Sequence, residues 1–208
     1  MIKAVIFDVD GVLIDSFEAN LRFFENLMVK AGYPKPKREE FHELFHLSMM
    51  DTIKALTKLN SEEELRKIWN MGKSREVNYP VDLLATPEGM EKTILDLNKN
   101  YTLGIVSNRV KESVYEAPRL AKLKDHFKST ITYEDTINHK PNPEPLLLAA
   151  SELDIEPRSI VYVGDAENDL IAGKAAGMKV IAYSPNKYKN TDAQALLFTD
   201  LPAIIRTL

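Results

Sequence analysis

Asp8 and Asp10 stand two residues apart, directly after the apolar run Ala4–Phe7. At that spacing, at the end of a strand, both carboxylates can reach one cavity from an otherwise apolar element. An Asp turn in which Gly11 supplies the unusual backbone angle accounts for an isolated Asp-x-Asp-Gly equally well. The pair therefore gains weight only from what accompanies it. A second group of acids lies in Gly164-Asp165-Ala166-Glu167-Asn168-Asp169, again after an apolar run, Ile160–Val163, and at the start of a helical pattern. Capping of that helix explains one of these acids. It does not explain Asp165 and Asp169 converging on Asp8 and Asp10, because four carboxylates at adjoining strand ends repel unless a cation sits among them. A hard, oxygen-ligated ion such as Mg²⁺ fits that donor set.

Two further segments supply groups of the complementary kind. Lys140 lies in His139-Lys140-Pro141-Asn142-Pro143-Glu144-Pro145, where three prolines stiffen the loop and fix where the lysine points. Most lysines are simply solvated; the stiffness argues for aim. Ser107 and Asn108 follow the apolar stretch Leu103–Val106 and offer a hydroxyl and an amide donor, although a turn or a helix N-cap would use them as well.

The elements that must position these groups read as short strands ending on polar residues: Ala4–Phe7, Leu103–Val106, Ile160–Val163 and, after a helix over Leu170–Ala176 stopped by Gly177, Val180–Ala182. Strands alternating with helices predict a parallel sheet covered on both faces, with ligands bound beyond the carboxyl ends of the strands. The expected class is α/β, a Rossmann-like core. Residues 15–86 break the alternation. Phe17, Leu21, Phe24, Leu27, Met28 and Ala31 fall on one helical face before Gly32. Further helices are expected over Glu39–Phe45, over Met49–Leu59, and from the capping box Ser61/Glu64 to Lys73. Thr86 and Pro87 read as the N-cap and first position of a helix that turns Met90, Ile94 and Leu97 inward. The division predicted is a core of 1–14 with 87–208 and a helical insert of 15–86.

Composition narrows the classes. With 208 residues, 44% hydrophobic and 28% charged, the chain can bury one good core and is neither disordered nor fibrous. A net charge of −4 gives no field for a phosphate polymer, so nucleic acid is not an expected partner and anions must be captured locally. The absence of cysteine excludes disulfides, thiolate zinc sites and cysteine nucleophiles. No apolar stretch suits a signal peptide or membrane span, since the one at Ala4–Ile14 is short and interrupted by Asp8 and Asp10; the cytoplasm is the default expectation.

Taken in order, Asp8-Val9-Asp10-Gly11-Val12, Ser107, Lys140 and Gly164-Asp165…Asp169 resemble the motifs of the haloacid dehalogenase superfamily. Ser107-Asn108-Arg109 and Lys140-Pro141-Asn142-Pro143-Glu144-Pro145 bring the likeness nearest to its phosphoglycolate phosphatase-like members. The resemblance implies that residues 15–86 form a helical cap that closes over the site and chooses the substrate. It implies that Asp8 is the nucleophile forming an aspartyl-phosphate and that Asp10 protonates the leaving oxygen and then activates water. Mg²⁺ would be held by Asp8, the main-chain carbonyl of Asp10 and Asp165, with Asp169 in support; Ser107, Asn108 and Lys140 would bind the phosphate. The activity so implied is a phosphoric monoester hydrolase acting on a small phosphorylated metabolite such as phosphoglycolate or a sugar phosphate. A phosphomutase of the β-phosphoglucomutase type is the first rival and a non-catalytic binding protein the second. An acid at position 10 disfavours dehalogenase and phosphonate-cleaving chemistry, whose enzymes lack it.

Some positions depart from that pattern or lie outside it. Ala166 replaces a small hydroxyl residue that many relatives carry, so a hydrogen bond is expected to be missing there. Pro118 is expected to kink or end the helix after the second strand. His42 and His46, one helical turn apart, lack a third ligand and read as a solvated face. Gly173 and Gly177 read as a close helix contact, and Arg109 as a substrate contact or a surface residue. The sequence leaves monomer and homodimer, and the identity of the substrate, open.

Overall fold

Ala4–Phe7 forms strand β1, and all four of its side chains are completely buried, as expected for a central strand covered on both faces. Helices α1 (Phe17–Lys30), α2 (Arg38–Leu44), α3 (Met49–Thr57) and α4 (Glu62–Lys73) follow, and then α5 (Met90–Leu97) leads to β2 (Thr102–Val106). The remainder is α6 (Pro118–Ala121), β3 (Phe127–Ile131), α7 (Glu144–Leu153), β4 (Ile160–Gly164), α8 (Glu167–Ala175), β5 (Lys179–Tyr183), β6 (Ala193–Ala195) and α9 (Leu201–Ile205). The computed structural model describes residues 1–208 and separates into two compact units, Met1–Asp15 with Ala85–Leu208, and Ser16–Leu84.

In the first unit six parallel strands lie in the order β3-β2-β1-β4-β5-β6. The chain fills the sheet on one side of β1 and then returns to fill the other, so the order reverses between β1 and β4. Open parallel sheets hold ligands at such a switch point, because the two connections leave in opposite directions and open a crevice between them. Register sharpens this: Phe7 pairs with Ile105 on one side and Val163 on the other. Asp8, Ser107 and Asp165 therefore leave the sheet along the same edge. One face packs Ile6, Val106, Ile131 and Tyr162 against Leu146 and Ala149 of α7 and Ala172 of α8. On the other, the Phe7 ring stacks on Phe198 at 6.0 Å.

The second unit has its own core, in which Leu21, Phe24, Leu27 and Met28 of α1 pack with Phe41, Ile53, Leu65 and Ile68 from the other three helices. The Ser61 hydroxyl caps α4 by accepting from the Glu64 amide at 3.4 Å. No helix of the chain is long and apolar enough to cross a membrane.

Several expectations are corrected. Thr86 and Pro87 do not start a helix. Pro87–Gly89 forms a turn, closed by the Met90 amide donating to the Pro87 carbonyl, and α5 begins at Met90; Met90, Ile94 and Leu97 are nevertheless buried. Pro118 neither kinks nor ends a helix: it opens α6, where its fixed φ suits the first turn and its missing N–H costs nothing. Strands β3 and β6 were not foreseen. His46 lies beyond the end of α2, so it does not share a helical face with His42, which is largely exposed.

Candidate active site

Strand β1 ends where it does because the residue after Phe7 is charged, yet the backbone holds to the sheet for one step more. The Asp8 amide donates to the Val163 carbonyl at 2.9 Å, leaving the Asp8 side chain 10% exposed at the crevice. Gly11, at φ +74°, then turns the chain sharply. A Cβ there would fall 1.9 Å from Asp165 Oδ2, so glycine is required both by the angle and by the carboxylate beside it. Gly164 is required by space alone, since the Asp169 Cβ lies 2.3 Å from where a side chain at 164 would begin.

Ligand oxygens of Asp8, Asp165 and Asp169 lie within 4.8 Å of one another. Lys140 sits among them, itself buried. Its Nζ donates to Asp169 Oδ1 at 2.6 Å, to Asp8 Oδ1 at 2.8 Å and to the Tyr162 hydroxyl at 2.9 Å. Tyr162, fully buried in the middle of β4, in turn donates to Asp169 Oδ1 at 2.9 Å. The Ala166 amide donates to Asp169 Oδ2 at 3.2 Å, so both oxygens of Asp169 are engaged and the start of α8 is closed without a hydroxyl at position 166. Alanine offers no hydroxyl there, as expected, and the Asp169 amide donates to the Ala166 carbonyl at 3.1 Å.

Electrostatics divide these acids. Burial pushes the Asp8 carboxyl up to about 7 despite the opposing pull of Lys140. Burial, then the charges of Asp169 and Asp8, hold Asp165 well above the ordinary carboxylate range. Burial works on Asp169 in the same direction, but Lys140 and its hydrogen bond outweigh it and keep this acid low. Burial also opposes the Lys140 ammonium, and its two carboxylate partners overcome that and raise it. Within this group three carboxylates meet one ammonium, an excess of two negative charges, the charge of a single divalent cation. The donor set is all oxygen, and Gly11 keeps the space beside Asp165 clear of a side chain. A hard divalent ion fits these residues.

Asp10 takes a different direction. Its Oδ1 accepts from Arg109 Nη1 at 3.1 Å. Arg109 is buried, not a surface residue as one expectation allowed. Ser107, 3% exposed, accepts on Oγ from the Arg109 amide at 3.2 Å, while Asn108 is half-buried between them and makes none of these contacts. The structure thus ties Asp8, Lys140, Asp165 and Asp169 into one cluster and joins Asp10 to Ser107 through Arg109. Tyr162 was missed, and so was Glu116, whose Oε2 lies 3.6 Å from Arg109 Nη2. A tyrosine within an otherwise aliphatic parallel strand was the available signal, since a buried hydroxyl must find a partner.

The description of the haloacid dehalogenase-like hydrolases matches residues 5–183. Pyrophosphatase PpaX of Bacillus cereus (strain G9842) is 32% identical over 187 residues, 88% of this chain and 83% of that protein. The crystal structure of a HAD-superfamily hydrolase, subfamily IA, variant 1, from Geobacter sulfurreducens PCA superposes with a TM-score of 0.72 at 29% identity, covering 98% of this chain and 96% of that one. β-Phosphoglucomutase from Clostridium difficile shares the fold, with a TM-score of 0.78 at 20% identity, covering 100% and 98%. With the family's description spanning most of the sequence and an acidic, lysine-bridged cluster at its switch point, the chain belongs to the haloacid dehalogenase-like hydrolases.

Proposed function

We propose that the protein is a Mg²⁺-dependent phosphatase of a small phosphorylated metabolite, with Asp8 as nucleophile. The observation that carries this reading is the buried Asp8 carboxylate, held by Lys140 at 2.8 Å beside Asp165 and two residues from a second acid, Asp10. Relatives named pyrophosphatase support this reading, and inorganic pyrophosphate joins the candidate substrates to be tested.

In the first step an Asp8 oxygen forms a bond to phosphorus as the bond from phosphorus to the leaving oxygen breaks, and Asp10 gives that oxygen its proton. In the second, water attacks the phosphorus, Asp10 takes the water's proton, and the Asp8 carboxylate and inorganic phosphate separate. Asp8 and Asp165, with the Asp10 main-chain carbonyl, would hold Mg²⁺, which supplies charge neutralisation for the phosphoryl oxygens. Asp169 holds Lys140, and Lys140 and Ser107 steady the transferred group in this reading. Lowering Asp8 from about 7 so that it attacks as an anion needs positive charge beside it.

A panel containing phosphoglycolate, sugar phosphates, nucleoside monophosphates and pyrophosphate, scored for released phosphate with Mg²⁺, tests the proposal. EDTA should stop turnover and Mg²⁺ restore it; full activity in chelator rejects the metal role. Interconversion of sugar phosphates without phosphate release would instead assign a phosphomutase. Gly11→Ala should drive the Asp165 carboxylate from its place and raise the Mg²⁺ concentration for half-maximal activity at least about tenfold. An unchanged Mg²⁺ titration would show that Asp165 is not a ligand.

A further inference from the structure

We propose that Arg109 is a positioning residue that fixes the Asp10 side chain for proton delivery to the leaving oxygen. The inference rests on the phosphatase reading above. The Arg109 side chain is 7% exposed, and each edge of its guanidinium meets a different acceptor. Nη1 donates to Asp10 Oδ1 at 3.1 Å, Nε to Ser113 Oγ at 3.2 Å, and Nη2 lies 3.6 Å from Glu116 Oε2. Its backbone is pinned as well. The Arg109 amide donates to Ser107 Oγ at 3.2 Å, and its carbonyl accepts from the Tyr133 amide at 2.9 Å.

A guanidinium is a rigid planar fork, so this one cannot turn without breaking two hydrogen bonds and separating an ion pair. An arginine that served substrate directly would present its fork to the ligand; this one turns Nε, Nη1 and Nη2 each toward a protein acceptor. Asp10, by contrast, has a side chain 22% exposed, against 7% for Arg109 and 8% for Glu116. Buried Arg109 therefore ties to Ser113 and Glu116 the one carboxylate that must meet a mobile reactant. A misplacement of about 1 Å at a reacting group costs on the order of 100-fold in rate, so the aim of a proton donor matters.

The test is the dependence of kcat/KM on the leaving group, measured with alkyl, phenyl and p-nitrophenyl phosphates in Mg²⁺. The ratio kcat/KM covers steps through phosphoryl transfer to Asp8 and is blind to the later hydrolysis. A leaving alkoxide needs the Asp10 proton; p-nitrophenolate leaves readily without it. Arg109→Lys is expected to lower kcat/KM about 100-fold for the alkyl phosphate and less than about threefold for p-nitrophenyl phosphate. Ser113→Ala, which removes only one anchor, is expected to show the same selectivity at about three- to tenfold, and it decides the matter if Arg109→Lys does not fold. Equal losses across the series, or a rise in KM alone, overturn the proposal and make Arg109 a structural or substrate-binding residue. Failure of the wild-type protein to release phosphate from any ester overturns the phosphatase reading instead.

Discussion

Asp8→Asn is expected to abolish phosphate release and, in metal-free protein above neutral pH, to raise the melting temperature. The first effect follows from the chemistry: an amide oxygen cannot form the phosphorylated intermediate, so kcat should fall to the assay's background, and appreciable turnover would remove Asp8 as nucleophile. The second follows from burial. The folded protein holds the Asp8 carboxyl at about 7, against 3.8 for the free side chain, so the folded state binds its proton more tightly than the unfolded one. With the folded value raised, stability is greatest at low pH, falls as pH rises between about 4 and 7, and is flat above. A shift of that size corresponds to about 4 kcal/mol at pH 8, a cost set first by the burial of the carboxylate. Asn keeps an acceptor for Lys140 and carries no charge, which relieves the excess. Melting curves in EDTA should therefore show the variant on the order of 5 °C above wild type at pH 8 and level with it at pH 4. Mg²⁺ should narrow the gap at pH 8 by stabilising wild type more than the variant. A variant that melts lower at pH 8 in EDTA would mean that Asp8 stabilises the fold, and the electrostatic account of the site would fail.

The parts legible in the sequence were those in which local pattern and final environment agree. β1 and β4 are central strands covered on both faces, so apolar residues run without a break and end on the acids that matter. β3, Phe127–Ile131, lies toward the edge and alternates buried and exposed residues, with Lys128 and Thr130 diluting its apolar signal. β6 spans only Ala193–Ala195, too short and small-sided to stand out. The site divides in the same way. Asp8, Asp10, Ser107, Asp165 and Asp169 could be picked out by type and by position after strands, and Lys140 by its proline-stiffened loop. The contact between Arg109 and Asp10 joins residues 99 apart in sequence and depends on β2 lying beside β1. Tyr162 was hidden because it occupies a core position and reads as core; its hydroxyl becomes polar machinery only once Lys140 arrives from a loop 22 residues earlier.

Lys140→Ala is expected to lower kcat/KM about 1,000-fold, roughly 4 kcal/mol of transition-state stabilisation, and to destabilise the protein as well. An ammonium has three N–H donors, and here Asp8, Asp169 and Tyr162 account for all three. Removing it leaves two buried carboxylates facing one another without the charge that separated them, a change that costs about 3–5 kcal/mol in comparable pairs. Holding a phosphoryl oxygen requires Lys140 to release one acceptor. Tyr162 is the one to go, because it is neutral and keeps its own bond to Asp169, whereas both carboxylates are charged. Geometry therefore matters here beyond charge. A compact, rotatable ammonium can exchange one of three converging partners, and a planar guanidinium of greater reach cannot occupy the same point. Lys140→Arg is accordingly expected to recover part of the stability lost in Lys140→Ala while remaining within about tenfold of its activity. Near-wild-type turnover by Lys140→Arg would reduce the role of Lys140 to that of a point charge, and a loss below tenfold in Lys140→Ala would remove it from the transferred phosphate altogether.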